Sequence, residues 1–156
     1  MESASDTIGD FGDWVAPHAV AMRQLAARLA GRSDGEDVVQ ESLLRAWRRW
    51  GTFRPERGTP RAWLLAIVAD QARQRRRRRR PPELVAQADA VVFEPDVDLE
   101  RAIARLADRQ RLAVELHYFV GLGVKEVAAV MGCAEGTVKS TLADARARLR
   151  GWLDVS

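Results

Sequence analysis

The clearest pattern of apolar and polar positions lies near the end of the chain. Val124, Val127 and Met131 recur at helical spacing, and Gly132 follows at once. Glycine readily takes the left-handed conformation that ends a helix. A second helix is then predicted, because apolar residues recur at alternating steps of four and three, at Val138, Leu142, Ala145, Leu149 and Trp152. Its opposite face carries small or hydrogen-bonding residues: Gly136, Lys139, Ser140 and Ala143. This pattern is typical of a helix-turn-helix that approaches a DNA major groove, and a plain helical hairpin is the alternative.

Two further helices are predicted before residue 51. The first spans about residues 8–30, and Gly31 closes it. His18 lies on its apolar stripe, and we expect this side chain in the core or at its rim. The second helix begins near Ser33, whose spacing to Glu36 fits a capping box. Its buried stripe comprises Val39, Leu43, Ala46 and Trp50.

A third helix follows the loop at residues 51–58. Thr59 and Pro60 form a strong start signal, an N-cap followed by proline at the first helical position. The helix runs towards Arg80 and stops at Pro81 and Pro82. Its inward residues are expected to be Trp63, Leu64, Ile67 and Val68.

The remaining segments complete an all-α fold. Residues 81–97 are predicted to form a linker, with three prolines and scattered acids. A short helix at about 99–106 and another at about 109–120, with Asp108 as its N-cap, precede the helix-turn-helix. We therefore predict two small helical domains, residues 8–80 and 98–153, joined by a flexible linker, with the second domain a helix-turn-helix.

Composition narrows the function classes. A single cysteine, Cys133, excludes an internal disulfide and fits a reducing compartment. The longest apolar run is far shorter than the roughly 20 residues that cross a bilayer, and the first residues are acidic rather than signal-like. The protein is expected to be cytoplasmic. Neither a catalytic set nor a metal-ligand spacing emerges, so we expect no enzyme, no cofactor and no metal.

Charge divides the chain into three blocks. Residues 1–80 carry a net charge of +6, residues 81–100 contain six acids and no base, and residues 101–156 carry +3. Two basic blocks around an acidic one suggest two domains that face a polyanion. The acidic segment itself is expected to fold back over the basic faces and lower non-specific DNA binding, an effect that neutralising Asp89, Glu94, Asp96 and Asp98 would remove.

The run Arg75–Arg80 is the most basic segment of the chain. Successive helical residues point 100° apart, so one face of this run cannot be buried without burying a guanidinium group. We therefore expect the helix end to project beyond the core. A phosphate backbone would relieve the repulsion among these charges, whereas a solvated tail is the alternative.

Together, three motifs in this order resemble the extracytoplasmic-function sigma factors, which are bacterial transcription-initiation factors. DGEDVVQESLLRAWRRWGTF (Asp34–Phe53) is similar to the family's polymerase-binding helix. RPERGTPRAWLLAIVADQARQRRRRRR (Arg54–Arg80) is similar to its promoter-melting and minus-ten segment. The stretch from Arg105 to Arg150 is similar to its minus-thirty-five-binding domain. A lone helix-turn-helix would not be specific, but three such motifs are.

The resemblance implies partners and site residues. The second helix would dock on the clamp helices of the β′ subunit of core RNA polymerase through Asp37, Gln40, Glu41, Leu44 and Arg45. The loop at 51–59 and the third helix would hold the non-template strand of the minus-ten element. The DNA-binding residues there would be Trp50, Phe53, Arg54, Arg57, Arg61, Asp70, Arg73, Arg75 and Arg76. In the last domain, promoter DNA would meet Thr137, Lys139, Ser140 and Arg146. Such factors are commonly held inactive by an anti-sigma factor, so the resemblance suggests that partner too.

Several positions depart from the family pattern. Asp70 stands where the family often has asparagine, and an acid there would repel phosphate. Thr141 and Asp144 stand where arginines are frequent, which lowers the positive charge of the recognition helix. Gly123 and Ala134 replace the serines that commonly cap the last two helices, so a softer C-terminal domain is expected.

Two other functions remain open at this point. One is an independent helix-turn-helix DNA-binding regulator that uses the C-terminal domain alone. It has no need of the helix from Asp37 to Trp50. The other is a basic RNA-binding or structural protein, which would need neither two domains nor a recognition helix.

Overall fold

The computed structural model describes residues 4–79 and 95–154, and within those ranges all regular structure is helical. The prediction of an all-α chain is confirmed. The principal helices are α1 (Ala4–Val15), α2 (Ala19–Arg49), α3 (Pro60–Arg79), α4 (Pro95–Arg105), α5 (Asp108–Val114), α6 (Val124–Met131) and α7 (Glu135–Leu153). A π-helical turn, Glu115–Phe119, extends α5. The predicted acidic cover over the basic faces falls mainly on residues 80–94, which lie outside the described ranges.

The first predicted helix is in fact two elements. A 3₁₀ turn, Ala16–His18, separates α1 from α2, with Pro17 inside it. Proline cannot donate the backbone hydrogen bond that an uninterrupted helix requires at that position. His18 is half-buried, at the rim of the core as predicted.

Gly31 ends the first of the two helical segments within α2, as predicted. Its φ of 83° and ψ of 168° are not helical, yet helical structure resumes at once and continues to Arg49. Ser33 therefore lies within the helical segment and is not its N-cap. The bend lets Gly35 pack directly on the backbone of the first segment, where a Cβ on Gly35 would lie 3.1 Å from the Cα of Ala27. Gly35, which lies between the two residues of the predicted capping box, is thus required for close packing.

The N-terminal core forms where α2 and α3 pack together. Met22, Leu25, Leu64, Leu65 and Val68 are fully buried there. The start of α3 is as predicted, because the backbone N–H of Ala62 donates a hydrogen bond of 3.1 Å to the Thr59 hydroxyl. This cap fixes where the chain leaves the preceding loop and enters the helix.

Asp108 does not cap α5. The N-cap position belongs to Ala107, and Asp108 is the first residue of the helix. Its carboxylate instead accepts a hydrogen bond of 2.7 Å from Arg76 on α3. The preceding helix, α4, also begins earlier than predicted, at Pro95 within the expected linker.

The helix-turn-helix forms as the pattern predicts. Gly132 has φ 65° and ψ 39°, the left-handed conformation that ends α6. Val127, Val138, Leu142 and Ala145 are buried between α6 and α7. Phe119 lies outside this core: it is 39 % exposed, and the guanidinium group of Arg28 stacks on its ring at 3.7 Å.

The caps of α6 and α7 are unfilled, as the sequence indicates. Gly123 and Ala134 have extended backbone conformations, and neither N-cap makes a side-chain hydrogen bond. Replacing Ala134 by serine should therefore raise the free energy of unfolding of the C-terminal domain by about 1 kcal/mol, because the hydroxyl can accept from a free N–H of the first turn.

Chemical denaturation followed by circular dichroism measures this effect. Ala147→Ser is the matched control, since Ala147 is exposed within α7 and serine there loses helix propensity. A lower unfolding free energy for both variants would contradict the capping explanation.

Candidate polymerase and nucleic-acid interfaces

An exposed apolar pair lies on the second half of α2. Leu44 is 48 % exposed and Trp47, one turn later, is 40 % exposed. Gln40 and Glu41 are exposed on the preceding turn of the same helix. Residues three and four apart in a helix share a face, so these side chains form one mixed polar and apolar surface. We call this surface, comprising Asp37, Gln40, Glu41, Leu44 and Trp47, the α2 face.

Arginines partly neutralise the acids beside this face. Arg75 on α3 lies 3.0 Å from Asp37 and 3.9 Å from Glu41. Arg45 lies 3.8 Å from Asp70. The predicted polymerase-binding residues therefore share an ion-pair network with the predicted DNA-binding helix.

Trp50 and Phe53, both predicted to contact DNA, belong to a packed aromatic cluster. Trp14 lies at its centre, with ring centroids 5.9 Å from Trp50, 5.2 Å from Phe53 and 5.8 Å from Trp63. Both predicted residues are half-buried. Packing of this kind makes the aromatic residues rigid. The rings of Trp50 and Phe53 stay partly exposed at the loop that precedes α3.

The basic residues around this cluster differ in their surroundings. Arg54 is exposed and donates to the carbonyl oxygens of Gly51 and Phe53 at 3.3 Å. Arg57 is exposed, whereas Arg61 is partly covered by an ion pair with Glu126 of α6. The loop thus offers two exposed cations, Arg54 and Arg57, whereas Arg61 of α3 is paired with an acid of the other half of the chain.

The sequence predicted that the arginine run projects beyond the core, but its first residue, Arg75, does not. Only 19 % of the Arg75 side chain is exposed, and it lies 3.4 Å from Asp34 as well as close to Asp37. Arg76 is paired with Asp108, and Arg79 with Asp34 at 2.7 Å. Acids on α2 make burial of Arg75 tolerable. Arg77 and Arg78 remain exposed.

Asp70 carries a charge that its neighbours offset. Its carboxylate accepts hydrogen bonds from Arg73 at 2.6 Å and Gln74 at 3.1 Å. With Arg45 also nearby, the repulsion between an acid at this position and phosphate is reduced.

The exposed face of α7 carries three of the predicted contacts. Thr137, Lys139 and Ser140 are all exposed, and the Ser140 hydroxyl donates to the Thr137 carbonyl at 3.0 Å. Arg146 is exposed too, but it donates to the Tyr118 hydroxyl at 2.8 Å. Cys133 in the turn is half-buried.

An ion pair joins Arg61 of α3 to Glu126 of α6. The Nε atom of Arg61 donates to a carboxylate oxygen of Glu126 at 2.6 Å, and a second hydrogen bond runs parallel to it. This bidentate contact lowers the pKa of Glu126 below its ordinary value, although burial opposes the shift. The neighbouring His18 has a lowered pKa because it is partly buried and close to Arg61.

A second ion pair involves a fully buried carboxylate. Glu115 accepts hydrogen bonds from Arg28 of α2 at 2.7 and 3.2 Å. Burial raises the pKa of Glu115, and the positive charge of Arg28 works against that shift. Glu115, Arg28 and Glu126 were not identified from the sequence, and Asp108 was identified only as an N-cap. Pairing across 32 to 87 residues of sequence leaves no local signal.

Comparison with known proteins decides the class. Residues 14–81 match the family model of sigma-70 region 2, and residues 96–149 match that of sigma-70 region 4. SigL of Mycobacterium tuberculosis, an extracytoplasmic-function RNA polymerase sigma factor, is 33 % identical over 80 % of this chain and 78 % of its own length. The chain belongs to the extracytoplasmic-function sigma factors.

Other relatives of this sigma factor agree. EcfG of Rhodopseudomonas palustris is 34 % identical over 86 % of this chain and 80 % of its own. The structure of CnrH with the cytosolic domain of CnrY matches with a TM-score of 0.73 and 31 % identity, over 94 % of this chain and 88 % of that one. Sigma factor RpoE of Bartonella quintana, in complex with the anti-sigma factor NepR, matches with a TM-score of 0.71 and 30 % identity, over 94 % and 98 %.

Family membership fixes the broad function. The chain is an alternative sigma factor, a DNA-binding protein of transcription initiation that is not an enzyme. The match of residues 14–81 to region 2 favours a sigma factor over a stand-alone helix-turn-helix regulator, which would leave the N-terminal half without a role. Among the described helices, none is sufficiently long and apolar to cross a membrane.

Proposed function

We propose that three separate surfaces of this sigma factor bind core RNA polymerase, the minus-ten element and the minus-thirty-five element. The α2 face binds the clamp helices of the polymerase β′ subunit. The loop at 51–59 and α3 bind the opened minus-ten strand. The exposed face of α7 reads the minus-thirty-five element.

The observation that carries the polymerase assignment is the exposed pair Leu44 and Trp47. Large apolar side chains that adjoin exposed acids and amides on one helix suit a partner helix in a groove. Trp47 was not among the predicted contacts, and its position beside Leu44 adds it to the proposed site.

The proposed DNA sites combine aromatic and basic groups. In the N-terminal half, Trp50 and Phe53 are half-buried beside the exposed Arg54 and Arg57. A base extruded from melted DNA needs an aromatic or apolar wall and a cationic rim for the phosphates. Lys139 and Thr137 on α7 supply a charge and a hydroxyl group at the position of a recognition helix.

We also infer an anti-sigma partner. Support comes from the RpoE structure, which shows a chain of similar fold in complex with the anti-sigma factor NepR. We further propose that the protein acts in the cytoplasm, where core polymerase and promoter DNA are found.

Two single variants test whether the surfaces are separate. Leu44→Ala should weaken binding of fluorescently labelled full-length protein to core RNA polymerase while leaving duplex binding unchanged. Lys139→Ala should do the reverse, since it removes one phosphate or base contact. The duplex is one selected from a random library by this chain together with core polymerase.

Lys125→Ala provides the matched control, because Lys125 is exposed on α6 rather than on the recognition helix. Equal losses of polymerase and duplex binding in both variants would argue against separate surfaces. Normal duplex binding by Lys139→Ala would remove α7 from the proposed DNA site.

A further inference from the structure

The loop that precedes α3 is tied to the helices around it through one side chain. Among residues 51–57, only Phe53 is half-buried, and the other six residues are exposed. The Phe53 ring packs edge-on against Trp14 of α1 at 5.2 Å and against Trp63 of α3 at 5.7 Å, both measured between ring centroids. The position of the loop relative to α3 therefore depends on these two aromatic contacts.

The hydrogen bonds of the loop provide no second attachment of this kind. The Thr52 hydroxyl donates to the carbonyl oxygen of Arg49 at 2.6 Å, and Arg54 donates to the carbonyl oxygens of Gly51 and Phe53 at 3.3 Å. Every hydrogen bond that the structure describes for residues 51–58 joins residues no more than three positions apart. Such bonds shape the turns, but they do not fix where the turns lie relative to the neighbouring helices.

Trp14 contacts aromatic residues before, within and after the loop. Besides packing on Phe53, its ring lies 5.9 Å from Trp50, which precedes the loop, and 5.8 Å from Trp63 in the first turn of α3. Phe11, the other aromatic residue of α1 in this cluster, contacts the rings of Trp14 and Trp50. Trp14 is thus the residue of α1 whose ring packs on the loop itself.

The neighbours of Trp14 along α1 hold it in place. Phe11 and Val15 are buried in the core, and residues three and four apart in a helix share a face, so Trp14 lies on the face that α1 packs against the core. The 3₁₀ turn Ala16–His18 then joins α1 to α2. Because α1 is anchored on both sides of Trp14, the indole ring cannot follow the loop if the loop moves, and it serves as a fixed support for Phe53.

We propose that Trp14 is a positioning residue for the opening of promoter DNA. It acts through Phe53 and keeps the loop at 51–59 in the conformation that takes up the minus-ten strand. A loop that is already ordered loses less binding energy to ordering when the strand arrives. This inference rests on the proposed assignment of the loop to the minus-ten strand. The α2 face and the exposed face of α7 contain none of the clustered aromatic residues, so polymerase binding and duplex binding do not depend on Trp14.

Hydrogen exchange of the full chain, followed by mass spectrometry, tests the positioning without DNA. The amides of Phe53 and Arg57 donate backbone hydrogen bonds within the loop and report on its order. Trp14→Leu should speed their exchange about fivefold, because the loop loses one of its two aromatic contacts. Phe11→Leu is the matched control, since it removes a buried ring of the same cluster that packs on Trp14 and Trp50. Equal loop exchange in the two variants, or an equal rise in α3 and in the loop of Trp14→Leu, would overturn the positioning role.

A second experiment measures promoter opening. Core polymerase and each variant are mixed with a promoter selected with this chain, and permanganate detects the unpaired thymines. Trp14→Leu should open the promoter about fivefold more slowly than Phe11→Leu, in proportion to the smaller fraction of ordered loops. Trp14→Phe retains an aromatic ring and should open it at nearly the wild-type rate. Affinity for core polymerase, measured on the same proteins, should not differ among the variants.

The outcomes separate this inference from the proposed function. If the wild-type chain opened no promoter with core polymerase, the proposed function would fail, whatever the exchange of the loop. If the wild-type chain opened the promoter and Trp14→Leu opened it equally fast, the inference about Trp14 alone would fail. Parallel losses of opening and of polymerase affinity in Trp14→Leu would show that the residue supports the fold in general, and they would also overturn the positioning role.

Discussion

Replacing Trp47 by alanine is expected to weaken the affinity of this sigma factor for core RNA polymerase by about 30-fold, equivalent to roughly 2 kcal/mol. Tryptophan is enriched among the few residues that carry most of the energy of an interface, particularly where it is flanked by apolar and polar neighbours. Trp47 is 40 % exposed and adjoins Leu44, which is 48 % exposed. The α2 face contains no other aromatic residue, so alanine removes its largest apolar surface.

Competition binding with labelled wild-type protein and purified core polymerase measures this change. Val20→Ala is the control, because Val20 is 63 % exposed on the first segment of α2 and does not belong to the α2 face. Circular dichroism should show that Trp47→Ala remains folded, since its ring is not part of the core. Unchanged polymerase affinity in a folded Trp47→Ala protein would exclude this residue from the interface.

Replacing Gly35 by valine is expected to lower the free energy of unfolding by about 2 kcal/mol. Gly35 is buried in the second segment of α2, and a Cβ there would lie 3.1 Å from both the Cα and the N atom of Ala27. Those neighbours are backbone atoms, which cannot rotate away as a flexible side chain can. The two segments of α2 would have to separate, and their packing on α3 would loosen.

Gly12→Val is the informative comparison. Gly12 is also helical, but a Cβ at that position has no neighbour within 4 Å. Valine should be neutral there or slightly stabilising, because glycine is the poorer helix former. Equal destabilisation by the two substitutions would show that helix propensity, rather than close packing at Gly35, governs both positions.

Local patterns in the sequence predicted the local structure well. The left-handed Gly132, the buried stripe of α7 and the Thr59 cap each depend on residues within one or two turns, and the structure shows all three. The family resemblance rested on the same kind of signal and is confirmed by the matches to regions 2 and 4.

Features that depend on distant neighbours were predicted poorly. Gly35 lies between Ser33 and Glu36, where nothing local indicates that it packs on the backbone of Ala27. Asp108 lies where the sequence predicts an N-cap, but its carboxylate accepts a hydrogen bond from Arg76 of α3 instead.

The arginine run shows the same limit. Its charges predicted a projecting helix end, because the sequence does not reveal that Asp34 and Asp37 lie beside Arg75. The candidate residues for polymerase and DNA remain predictions for the same reason. Their exposure and charge are evident in the structure, but contact with a partner depends on that partner's surface.

Run-off transcription provides the most direct test of the central claim, that this one chain gives core polymerase its promoter specificity through two DNA-binding halves. Purified core polymerase should produce discrete transcripts from promoters selected with this chain only when the chain is present. Deleting either the minus-ten or the minus-thirty-five element from the template should abolish them. Transcripts of equal amount and start point without the chain, or with both elements removed, would contradict the account.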